Sequence, residues 1–125
     1  MESLKNSLNW FEIPAADFGR ARKFYSTIYD FEMPSNQMGE ITLGFFPVTQ
    51  GGIGGAIAYG PGCNVSENGT LVYLNGGEDL QMVLDRVEGA GGKVLTSKTE
   101  IPNDLGYYAI FKDSEGNKVA LHSMS

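Results

Sequence analysis

The sequence predicts an α+β fold in which a strand–helix–three-strand module occurs twice. Two observations carry this. Apolar spacing switches between a period of two and a period near 3.6 in the same order in each half. Seventeen glycines and five prolines cut the chain into short segments of strand length. Two such βαβββ modules are expected to join into one curved, mixed eight-stranded sheet, with helices on the convex side and a cavity on the concave side.

In the first half, Leu8–Ile13 reads as a strand stopped by Pro14, and Asp17 is a suitable N-cap for a helix. Phe18, Ala21, Tyr25 and Ile28 form the apolar stripe of that helix, widened by Phe24, while Arg20, Arg22 and Lys23 fall on the other side. Phe31–Gln37 is a weak extended segment, Glu40–Val48 a better strand, and Ile53–Tyr59 a strand returning from the turn at Thr49–Gly52. The order then repeats. Thr70–Leu74 reads as a strand, and a helix over 78–88 carries the stripe Leu80, Val83, Leu84 and Val87. Strands at 93–98, 107–112 and 118–123 follow, the last two joined by the turn at 113–117. The expected modules are about 8–60 and 70–123, within a single domain over 1–125.

Composition narrows the function classes. Hydrophobic residues make up 42% of the chain, enough for a core. The formal net charge of −6, with no run of lysine or arginine, argues against nucleic acid or an anionic membrane surface as partner. No apolar run approaches a membrane span, and Met1–Lys5 lacks the apolar core of a signal peptide. The one cysteine, Cys63, allows no intrachain disulfide and fits a cytoplasmic location. It has no activating base near it in sequence. Gly51–Gly55 lacks the lysine and helix start of a phosphate loop and reads as a hairpin turn.

Strand alternation assigns faces. Phe11 and Ile13, like Val119 and Leu121, belong under the helices. Trp10, Glu12, Ala120 and His122 then look into the hollow, joined by Ala56, Ala58, Thr70, Val72 and Leu74. His122, the only histidine, and Glu12 form a candidate acid–base pair, because a carboxylate orients an imidazole and favours its charged form. Trp10 offers a face for a flat ligand.

The residues at the two ends carry a resemblance. Asn9–Pro14 followed by Asp17-Phe18, Arg20-Ala21 and Lys23-Phe24-Tyr25 resembles the opening motif of the vicinal oxygen chelate superfamily, which includes glyoxalase I, bleomycin-resistance proteins and extradiol dioxygenases. Phe111–Leu121 resembles its closing motif, an aspartate–x–x–glycine–asparagine hairpin before the final strand. The resemblance implies the paired βαβββ fold, a homodimer, and, in metal-dependent members, four ligands from four strands. Carried over by motif, these fall on Trp10, near Ala56, on Thr70 and on Ala120. Trp and Ala supply no ligand atom and Thr is a poor one, so no metal and no other cofactor is expected at the usual place. Glu12 and His122, each two residues beyond such a position, could hold only a displaced, two-ligand metal.

Two readings follow. In the first, the chain is a small-molecule-binding protein of the glyoxalase/bleomycin-resistance type, with Trp10, Ala56, Thr70, Val72 and Ala120 contacting the ligand. In the second, it is a metal-free or displaced-metal lyase or isomerase resembling lactoylglutathione lyase, with Glu12 and His122 catalytic.

Overall fold

The first helix shows how local sequence sets the frame. Asp17 has extended backbone geometry, and its carboxylate accepts the Arg20 N–H at 3.1 Å, which satisfies one of the free donors of the first turn. Helix α1 then spans Phe18–Ile28 and buries Ala21, Phe24, Tyr25 and Ile28. In the computed structural model, which describes residues 3–125, α1 follows strand β1 (Phe11–Pro14). Strands β2 (Ser35–Met38), β3 (Ile41–Phe45) and β4 (Gly55–Tyr59) complete the first module. The second comprises β5 (Tyr73–Asn75), α2 (Gln81–Leu84), β6 (Lys93–Glu100), β7 (Tyr107–Lys112) and β8 (Lys118–Ser123).

The repeat expected from the sequence is present in the topology. The strand orders are β1-β4-β3-β2 and β5-β8-β7-β6, the same arrangement displaced by four strands. In each module the first strand pairs in parallel with the last, and the other pairings are antiparallel. The eight strands are divided between two four-stranded sheets rather than joined in one. The strands that would have to join them, β1 and β5, are only four and three residues long, and Pro14 offers no N–H for pairing.

Strand parity holds for the core faces of β1 and β8 and fails on β5, where Leu74, expected in the hollow, is buried in the core with Val72 packed beside it. Ile13 and Ile57 from the first sheet and Leu74, Phe111, Val119 and Leu121 from the second lie in one buried cluster with Phe24, Tyr25 and Ile28 of α1 and Leu80, Val83, Leu84 and Val87. Fully burying each such side chain is worth roughly 1.5–3 kcal/mol, so this shared core is what holds the two modules together. The second helix is shorter than the stripe suggested. Only Gln81–Leu84 is α-helical, and i→i+3 bonds such as Arg86 N–H to Val83 at 3.0 Å carry the remaining turns. The stripe is buried as expected, but the cap position is Leu80, which has no acceptor side chain, and the backbone winds more tightly; Asp79 Oδ1 takes the Gln81 N–H at 2.9 Å instead.

Candidate functional site

Where the edge strand β1 faces the segment leading into β5, the two sheets leave a cavity of about 840 Å³ between the modules. The size suits a small organic molecule. Trp10, Phe11, Glu12 and Ile13 line it from the first module, and Thr70, Leu71, Val72, Tyr73 and Asn75 from the second. Phe46 and Tyr29 close the core side, and Ile53 and Gly54 lie near Trp10. The lining is mostly apolar, with Glu12 and Lys118 its charged members.

Trp10 is held in place from two sides. Its indole N–H donates to Glu12 Oε2 at 3.2 Å, and its ring meets Phe45 edge-on with centroids 6.2 Å apart. The residue is still 44% exposed, an unusual state for a tryptophan. Gly54, just before β4, permits the close approach of the chain, since a Cβ there would come within 3.4 Å of the Trp10 ring and 3.2 Å of Val48. On the core side, Tyr29 donates its hydroxyl to the Asn75 carbonyl at 2.8 Å, and burial pushes its phenol well above the ordinary range. It enters the site as a neutral group already satisfied as a donor.

Of the expected site residues, the structure brings together Trp10, Glu12, Thr70 and Val72 on this cavity. It does not bring Ala56, Ala120 or His122 to it. Ala56 is fully buried in a small cluster with Leu43 and Ala58, against which Cys63 packs. Ala120 is also fully buried, on β8 between Tyr73 of β5 and Ile110 of β7. His122 does not line the cavity but borders an adjoining depression that shares Tyr73, Leu74 and Asn75 with it and is completed by Gly77, Ser123 and Met124, and its Nε2 lies 2.8 Å from the Leu105 carbonyl. Glu12 and His122 therefore do not form a pair within the chain. The expectation of one shared hollow failed because parity orders side chains within a sheet and says nothing about two sheets that separate.

Sequence reasoning passed over Tyr29, Phe46, Asn75 and Asn117, which also line the cavity. Asn117 carried a signal, since it is the asparagine of the closing motif. Its side-chain amide donates to the Pro14 carbonyl at 2.7 Å and so ties the start of β8 to the end of β1.

The positions that would carry metal ligands hold poor donors. The indole nitrogen of Trp10 has no free lone pair, alanine has no donor, and Thr70 supplies only a hydroxyl. Among the described residues no three or more His, Cys, Asp or Glu side chains cluster to hold an ion. The donor set at these positions does not fit a divalent metal.

Comparison with known proteins agrees with this architecture. Residues 7–121 match the model of the glyoxalase/bleomycin resistance protein/dioxygenase superfamily, and the chain belongs to that family. A glyoxylase-like domain-containing protein from Didymella fabae is 25% identical, with 94% of each chain covered. An antibiotic binding protein from a Streptomyces species superposes with a TM-score of 0.72 at 17% identity, over 99% of this chain and 100% of that one. Glyoxalase I from Zea mays superposes with a TM-score of 0.66 at 15% identity, covering 92% of this chain and 43% of that one. This chain thus spans less than half the length of the maize enzyme. No helix among the described residues is long and apolar enough to cross a membrane.

Proposed function

We propose that the chain is a small-molecule-binding protein of the glyoxalase/bleomycin-resistance type that takes a flat, largely apolar ligand between its modules and uses no metal to do so. The observation that carries this reading is the cavity itself, apolar on most of its wall and edged by an accessible Trp10. The likeness to an antibiotic binding protein over the full length of both chains supports it as fold-level analogy. The alternative, a metal-free or displaced-metal lyase or isomerase, needs Glu12 beside His122, and within one chain these groups line different depressions.

We further propose a cytoplasmic homodimer, supported by the family resemblance and by exposed apolar side chains around the cavity mouth, including Ile53 and Tyr73. Sedimentation at micromolar concentration checks this, and a monomer there removes the dimer.

Trp10 is the chain's only tryptophan, so its fluorescence reports this cavity alone. The binding test titrates a panel of flat aromatic compounds while following Trp10 emission and melting temperature. Val72→Arg, which places a charge in the apolar wall, is expected to weaken both responses at least tenfold. Compounds that raise the melting temperature without perturbing Trp10, and bind Val72→Arg equally well, overturn the reading. Metal analysis of the purified protein is expected to give less than one divalent ion per chain.

A further inference from the structure

We propose that the cavity selects ligands whose flat apolar body carries a protonated nitrogen, seated on the Glu12 carboxylate beside the Trp10 ring. This rests on the binding reading above and narrows it to a chemical class.

The inference follows from the one carboxylate of the wall, set against its neighbours. The Tyr29 hydroxyl is spent on the Asn75 carbonyl, and the Asn117 amide on the Pro14 carbonyl and Asp113 Oδ2. Glu12 differs. Its Oε2 takes the indole N–H of Trp10, while no hydrogen bond among the described residues engages Oε1. No lysine, arginine or histidine among them forms an ion pair with Glu12, whereas Glu115, Asp79 and Glu67 each have a basic partner. The other charged side chain of the lining, Lys118, has a carboxylate nearby. Glu67 is held below its ordinary range first by Lys112, and Lys118 adds to that effect.

A carboxylate with open acceptor positions at the edge of an apolar cavity is complementary to a charged donor. The aromatic ring next to it adds attraction of the same sign, because a cation is drawn to the face of an indole. The indole N–H bond and the Phe45 contact fix carboxylate and ring relative to each other before any ligand arrives. A ligand carboxylate in the same place would meet like charge.

The test compares three probes of matched shape, naphthylmethylammonium, naphthylmethanol and naphthoate, by calorimetric titration of the full chain at neutral pH. The ammonium is expected to bind about tenfold more tightly than the alcohol, with naphthoate weakest. Glu12→Gln, which retains an oxygen for the indole N–H, is expected to erase the difference between ammonium and alcohol. Glu40→Gln removes the same charge from an exposed position away from the cavity and is expected to preserve it. Equal binding of ammonium and alcohol by the wild type overturns the inference and leaves the binding reading standing. A preference that survives in Glu12→Gln overturns it too, because the effect then lies outside the Glu12 carboxylate. Failure of all three probes to bind sinks both.

Discussion

Arg20 and Glu115, separated by 95 positions, form a two-point ion pair across the modules. Arg20 Nε donates to Glu115 Oε2 at 2.7 Å and Nη2 to Oε1 at 3.1 Å. The backbone N–H groups of Ala16 and Asp17, just before α1, also donate to Oε1 at 2.9 and 2.7 Å. One carboxylate from the closing hairpin of the second module thus satisfies the entry to the first helix of the other. The favourable field of a helix N-terminus adds to the effect.

This arrangement predicts a specific loss. Glu115→Ala leaves two backbone donors and a guanidinium without their acceptor and is expected to lower unfolding free energy by about 2–3 kcal/mol. Urea unfolding measures it. The pH dependence follows from the direction of the shift. Burial pushes the Glu115 carboxyl up, but the Arg20 hydrogen bond, the Asp17 N–H and Ser114 outweigh it and hold it below the ordinary glutamate range. Its contribution is therefore fully present above the unfolded-state value and is lost as pH falls through the lower folded value. Glu115→Gln is expected to flatten the acid limb of the stability profile. An unchanged acid limb assigns acid sensitivity to other groups.

Asp113, two residues earlier, behaves in the opposite sense. It is buried, and each of its oxygens accepts two hydrogen bonds. Oδ1 takes the N–H groups of Glu115 and Asn117, and Oδ2 takes the Tyr25 hydroxyl and the Asn117 amide. Burial outweighs these bonds and holds its carboxyl above the usual range. A raised folded value means its contribution declines as pH rises through that value. Asp113→Asn, though nearly isosteric, turns an NH₂ toward existing donors and is expected to cost about 1–3 kcal/mol at neutral pH. It is also expected to steepen the acid limb, because an opposing titration is removed.

Packing rather than charge governs the prediction at Gly55. A Cβ there would collide with the ring of Phe11, its register partner on β1. Phe11 packs on the core and also lines the cavity. Gly55→Ala is expected to destabilise by about 1–3 kcal/mol and to weaken binding of aromatic probes, because the displaced ring has the cavity to move into. Stability lost with probe affinity intact would place the displaced ring on the core side.

These residues also show what was readable in the sequence. The Asp17 cap and the α1 stripe were legible because each depends on residues within one or two turns. The core faces of β1 and β8 were legible because alternation is a local rule. The bond between Arg20 and Glu115 was not, since no periodicity links positions so far apart. Nor was the seam. Thr70–Leu74 has strand composition, yet pairing with β8 begins only at Tyr73, and that late start leaves Thr70, Leu71 and Val72 as cavity wall. A shared hollow for Glu12 and His122 assumed that β1 and β5 would pair. Whether short edge strands pair depends on tertiary distance, which a single sequence does not report.

His122 supplies the last prediction. It packs beside the hairpin between β6 and β7, where Asn103 and Asp104 adopt left-handed backbone angles and Ile101 N–H bonds the Gly106 carbonyl at 2.8 Å. The contact of His122 Nε2 with the Leu105 carbonyl makes the ring a tether for that exposed hairpin. Gly106 has no room for a side chain, since a Cβ would collide with the Ser123 carbonyl and lie 3.1 Å from Nε2. His122→Ala is expected to raise amide exchange across 101–106 by about fivefold, corresponding to one ordinary hydrogen bond, while Trp10 titrations stay as in the wild type. Exchange unaltered in that hairpin, together with lost response at Trp10, would instead return His122 to the ligand site, most simply through contact with the cavity of a second copy.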